Sequence, residues 1–219
     1  MSEPEYRVRQ RVERFTNRIF SLVTDEVEMP DGDVANRDYL VHVGAVGVVA
    51  LDESERVILI RQYRHAVGAP LWELPAGLID QPGEDLVDAA ARELAEEADL
   101  TAEQWDLLGD VHTSPGCSNE VIRLFLARRL GAVPRDRRHT RTHEEAGLTT
   151  RWMDLDDAVG MALSGEITNA SCLVGVLATA QARSRGWSTL RTAGTPLQRS
   201  APPSPGQQPS PVEADQPEG

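Results

Sequence analysis

The chain has 219 residues, 40% of them apolar, and a formal net charge of -13. This is enough apolar material for a buried core, yet no apolar run reaches the length of a bilayer span, and the charged stretch Met1–Arg14 lacks a secretory segment. The acidic balance disfavours nucleic-acid binding through counterion release, and the two cysteines, Cys117 and Cys172, indicate neither a disulfide framework nor a zinc site and fit a reduced cytoplasmic setting.

In chain order, Phe15 to Tyr39 reads as two strands around the turn Met29-Pro30-Asp31-Gly32, a small sheet ahead of the core. Val43 to Leu51 is apolar and β-branched, as a buried strand should be, and Asp52-Glu53-Ser54-Glu55 is a polar turn. Val57 to Ile60 is then expected as the return strand of a hairpin. Leu86, Val87, Ala90, Ala91, Leu94 and Ala98 recur at helical spacing. Strands are expected at Asp106 to His112 and Val121 to Ala127. A short helix, Asp154 to Leu163, closed by Ser164-Gly165, and a second, Ala170 to Arg183, complete the pattern. Seven of the fourteen prolines lie between Pro196 and Pro217 among Ser, Gln and Gly, a composition that predicts a disordered tail from about residue 190. Strands with one helix amid them and helices at the end give an α+β sandwich.

The chemistry concentrates in the first helix. Glu84 to Asp99 holds seven acidic residues and one base, Arg92. At about 100° per residue, Glu93, Glu96 and Glu97 share an arc of roughly 100° beside the apolar stripe. Carboxylates on one turn repel by a few tenths of a kcal/mol per pair, which a solvated surface tolerates. Their place at the edge of the core, after the glycine-containing loop Leu74-Pro75-Ala76-Gly77-Leu78-Ile79-Asp80, argues instead for a metal cradle. Hard oxygen donors without His or Cys suit magnesium or manganese. From residue chemistry alone, a metal site and a charged helix both stand.

The spacing is more specific. Gly77 is followed after six residues by Glu84 and, after seven more, by Arg92-Glu93-Leu94-Ala95-Glu96-Glu97-Ala98-Asp99-Leu100. This resembles the box of the Nudix hydrolases, with one residue inserted between Gly77 and Glu84 and Asp99 at a position where the box has glycine. Further pieces are similar to the bacterial ADP-ribose pyrophosphatases of that family: Arg61-Gln62-Tyr63-Arg64, Trp72 to Gly77, Ser114 to Glu120, His143-Glu144-Glu145 and Gly165 to Ala170. Pro115, sixteen residues beyond Asp99, is the mark of that subgroup.

The resemblance implies a Nudix-like α/β/α sandwich with a mixed sheet over residues 43–187, preceded by N-terminal strands (1–42) exchanged in a homodimer and followed by a tail (188–219). It implies that the Ala76 carbonyl, Glu93, Glu96 and Glu97 hold Mg2+ (or Mn2+), with Arg92 orienting them by ion pairing. Glu144 or Glu145 supplies a carboxylate to the attacking water, and Glu96 joins the catalytic set. Arg64, Glu120 and the Ser114-Pro115-Gly116 loop contact substrate, with Arg37 reaching the partner's site. The implied reaction is hydrolysis of the ADP-ribose pyrophosphate to AMP and ribose 5-phosphate. Another nucleoside diphosphate sugar, or an ADP-ribose sensor without turnover, are the alternatives. No membrane or nucleic-acid partner is expected. His112, His139 and His143 lack ligand spacing, and Cys117 is not needed as a nucleophile.

Overall fold

In the computed structural model, which describes residues 5–140 and 147–197, the chain divides into two units. The first takes in Met1–Val43 together with Ser114–Glu120. Its strands β1 (Arg7–Thr16), β2 (Phe20–Glu28) and β3 (Val34–His42) form an antiparallel sheet in that order. The turn at Met29–Gly32 joins β2 to β3 as expected, closed by the Gly32 amide donating to the Met29 carbonyl at 2.9 Å. Strand β1 was not anticipated, because its arginines and glutamate obscure the alternation with Val8 and Val12. Buried Asp25 on β2 accepts both Nε and Nη2 of Arg11 at 2.7 Å and the Tyr39 hydroxyl at 2.8 Å, tying the three strands by side chains as well as backbone.

The second unit contains Gly44–Thr113 and Val121–Thr195. Its five-stranded mixed sheet has the order β11 (Arg191–Thr192), β8 (Leu100–His112), β9 (Val121–Ala132), β4 (Ala45–Ala50), β7 (Ala76–Leu78). Only β4 and β9 run parallel. A second, antiparallel sheet has the order β10 (Thr149–Asp154), β5 (Arg56–Arg64), β6 (Ala69–Glu73). All six residues of β4 are buried, as a central strand covered on both faces requires. Val46, Val48 and Ala50 pack with Ala90 and Leu94 of α1 (Leu86–Ala98). Val49 and Leu51 pack on the opposite side with α2 (Leu155–Ser164) and α3 (Ala170–Ser184). The unit is therefore layered helix, sheets, helix pair, the α/β/α sandwich with a mixed sheet that the resemblance implies.

Two expectations are corrected. Strands β4 and β5 do not form a hairpin: both edges of β4 are taken by β9 and β7, so the turn at Asp52–Glu55 carries β5 into the other sheet, with one bridge, Leu51 to Val57, at the corner. Nor does the tail begin near residue 190. Strand β11 pairs with β8, and the buried Arg123 guanidinium donates to the Thr195 carbonyl at 2.5 Å while gripping Asp110 at 2.7 and 2.9 Å.

Candidate active site on the acidic helix

Helix α1 begins where the Asp85 carboxylate accepts the Val87 amide at 2.8 Å, an N-cap bond. It ends at Asp99, whose φ of 56° and ψ of 32° are left-handed, with its N–H donating to the Leu94 carbonyl. The residue in the glycine position of the box therefore makes the turn that glycine would make. Between these caps, Ala89, Ala90, Leu94 and Ala98 face the core, and Glu97 is buried with them at 6% exposure. A carboxylate so deep needs partners.

The short strand β7 supplies one. The Ala76 amide donates to Glu97 Oε2 at 2.8 Å. At the next residue the Glu93 carboxylate lies directly on the backbone: a Cβ added to Gly77 would sit 2.0 Å from Glu93 Cδ. Two box carboxylates are thus seated on one dipeptide, Ala76-Gly77, which the pairing of β7 with β4 fixes in space. Arg92 completes the cluster. It donates to both Glu84 oxygens at 3.1 Å, bonds Glu93 Oε1, and brings Nη1 to 3.7 Å from Glu96. The bond to Glu84 and the charge of Glu93 raise the Arg92 pKa further, so it stays a cation throughout.

The structure thus brings Ala76, Arg92, Glu93, Glu96 and Glu97 together, and it engages the amide of Ala76 with a box carboxylate. Among the described residues, no three carboxylate, imidazole or thiol groups converge as a finished ligand set. The donor chemistry nevertheless fits a hard divalent cation: three glutamates from one helix, with Glu93 13% and Glu96 31% exposed, in a helix that contains no cysteine, methionine or histidine.

Arg64, at the end of β5, has its Nε and Nη2 on the two oxygens of Glu73 at 2.8 and 2.6 Å. Glu73 was assigned no role from the sequence; its signals there are its place within the matching piece Trp72 to Gly77 and a charge that closes the apolar pair Leu71-Trp72.

The remaining expected substrate residues belong to the first unit. Ser114, Pro115 and Gly116 form a turn in which the Cys117 and Ser118 amides donate to the Ser114 carbonyl at 3.0 and 2.9 Å. This segment is held against β3, since the Leu40 amide donates to the Cys117 carbonyl and the Asn119 side chain accepts from the His42 amide. Glu120 lies 3.5 Å from His42 Nδ1. Arg37 is exposed on β3 and donates to the Asn36 carbonyl at 2.9 Å. Glu144 and Glu145 lie outside the described residues.

A family model described as the NUDIX domain matches residues 41–173. An ADP-ribose pyrophosphatase of Mycobacterium tuberculosis is 42% identical over 178 residues, covering 81% of this chain and 84% of that protein. An ADP-ribose pyrophosphatase of Bacillus subtilis is 30% identical over 156 residues, covering 71% and 82%. Among solved structures, an ADP compounds hydrolase superposes with a TM-score of 0.70 at 20% identity, over 85% of this chain and 98% of that one, a likeness of fold. With the family model matching more than half of the chain, and relatives at 42% and 30% identity covering most of it, the chain belongs to the Nudix domain family.

Proposed function

We propose that this protein hydrolyses the pyrophosphate bond of ADP-ribose, releasing AMP and ribose 5-phosphate. The observation that carries the proposal is the seating of Glu93 and Glu97 on Ala76-Gly77 within a chain that aligns with ADP-ribose pyrophosphatases over most of its length. Glu93, Glu96, Glu97 and the Ala76 carbonyl are the residues we assign to magnesium, with manganese as a substitute. When bound, such a cation offsets phosphoryl charge and makes a bound water more acidic.

The chain's own residues do the rest. Arg92 keeps Glu93 turned toward Gly77 by their ion pair. Glu97, neutralised in part by the Ala76 amide, keeps its carboxylate fixed at the strand. Arg64, whose Nε–Nη2 edge grips Glu73, is the guanidinium we assign to a phosphoryl group, through the N–H groups outside that grip. Glu120, Ser114, Pro115 and Gly116 we assign to the ribose and diphosphate, and Arg37 to the site of a partner subunit, in a homodimer that exchanges its N-terminal strands. Glu144 or Glu145 is the carboxylate we assign to the attacking water. Two unpaired cysteines suit the reducing cytoplasm to which we assign the protein.

A substrate panel tests this reading. ADP-ribose, ADP-glucose and GDP-mannose are compared by kcat/KM with magnesium. The proposal requires ADP-ribose to lead; a lead for another nucleoside diphosphate sugar would transfer the reaction to that substrate.

A further inference from the structure

We propose that Glu73 is a positioning residue for the substrate: by holding the Nε–Nη2 edge of Arg64 it fixes the guanidinium, so that the N–H groups outside that grip meet the diphosphate in one orientation. The proposal rests on the assignment of Arg64 to substrate. In the β5–β6 ladder Arg64 is opposite Ala69, and Glu73 is opposite Ile60. The Arg64 side chain must therefore run back along its own strand to reach Glu73, and it is held there at both oxygens, 2.8 and 2.6 Å. Glu73 is 3% exposed while the Arg64 side chain is 44% exposed. The acid is thus the buried anchor and the guanidinium the part that a ligand can meet.

A bidentate carboxylate selects one rotamer of a long, flexible side chain, which a single contact cannot do. Glu73 also opens the backbone run Glu73-Leu74-Pro75-Ala76-Gly77, which ends at the seats of Glu97 and Glu93. One short stretch of backbone therefore sets both the arginine and the carboxylate cradle, which fixes their separation. Raw attraction does not explain the pair. A carboxylate beside Arg64 weakens its pull on an anion, in a protein whose net charge is already -13. If Glu73 were only a counter-charge, removing it would tighten anion binding; if it positions Arg64, removing it must loosen binding.

The test uses the full chain as wild type, Glu73→Gln, Arg64→Lys and the double variant. The measurements are calorimetric Kd for ADP-ribose in EDTA, KM and kcat with magnesium, and Mn2+ affinity by electron paramagnetic resonance. Glu73→Gln is expected to raise Kd and KM about tenfold, the scale of one charged hydrogen bond, with a smaller fall in kcat. Its Mn2+ affinity stays at the wild-type value, and the double variant is no worse than Arg64→Lys, because the two residues act as one unit. Unchanged or tighter binding in Glu73→Gln, where Arg64→Lys weakens it, would overturn the proposal and leave the substrate assignment standing. Wild-type protein that neither binds nor turns over ADP-ribose would remove the assignment and the proposal together. Should Glu73→Gln not fold, Glu73→Asp serves: it keeps the charge but displaces the guanidinium, and an unchanged KM would overturn the proposal.

Discussion

The carboxylate of Glu93 rests on the backbone of Gly77 so closely that a Cβ there would stand 2.0 Å from both Cδ and Oε1. Gly77 is needed for space rather than for an unusual φ, since its contact is with a side chain and its backbone is part of β7. Gly77→Ala must therefore push Glu93 off its seat. We expect kcat/KM and Mn2+ affinity each to fall by roughly 10–100-fold, the scale for losing the support of a ligating carboxylate. Circular dichroism should remain that of the wild type. Steady-state kinetics and metal titration check this, and an alanine variant with wild-type metal affinity would contradict the seat.

The ion pair between Asp110 and Arg123 predicts an asymmetry. The Arg123 side chain is 2% exposed and that of Asp110 is 24% exposed, and the two stand directly opposite each other on β8 and β9. Asp110→Ala removes the counter-charge of a buried guanidinium and should cost about 3–5 kcal/mol. Arg123→Ala leaves a carboxylate that water can reach, so its cost is lower, about 2–3 kcal/mol, including the orphaned Thr195 carbonyl. Urea denaturation of both variants decides it; the reverse order would show that the burial of Arg123 does not govern the pair.

Asp99 closes α1 with a left-handed φ of 56°. Asp pays part of the cost of that conformation, which glycine does not. Asp99→Gly is expected to gain up to about 1 kcal/mol, and Asp99→Val to lose about 1–2 kcal/mol. Turnover should not change in either, because Asp99 is not among the residues assigned to magnesium or substrate, and its ion pair with Arg138, at 3.8 Å, is partly exposed and worth little. Thermal melts with parallel assays measure both effects.

Much of this was legible from the chain. The apolar spacing of Leu86 to Ala98 and the Arg92-Glu93-Leu94-Ala95-Glu96-Glu97 run place the helix and its carboxylates, because helix periodicity is local. The fate of β4 and β5 was not legible. A turn such as Asp52–Glu55 joins a hairpin or a corner equally well, and the choice was made by Leu124 and Phe125 of β9, more than sixty residues away, which occupy the edge of β4. Strand β1 was hidden by its arginines. The Arg64–Glu73 pair escaped because it joins strand positions that are not opposite each other.

The two cysteines should separate by reactivity. Cys172, in the first turn of α3, is buried, and its burial, with the charge of Glu73 adding to it, pushes the thiol up to about 12. Cys117 is exposed. Iodoacetamide at pH 8 should label Cys117 within minutes and Cys172 only in denaturant, as read by peptide mass spectrometry. The raised value also sets a pH dependence: the neutral thiol's contribution to stability is whole below about pH 9 and is lost as the pH rises toward 12. A Cys172→Ala variant should lack that alkaline component.

The central claim is the reaction itself. Purified protein is incubated with ADP-ribose and magnesium in oxygen-18 water, and the products are read by mass spectrometry. We predict magnesium-dependent AMP and ribose 5-phosphate, with the label in one of the two phosphates, which identifies the phosphorus that water attacks. Intact ADP-ribose after incubation with either magnesium or manganese, in the presence of folded protein, would contradict it.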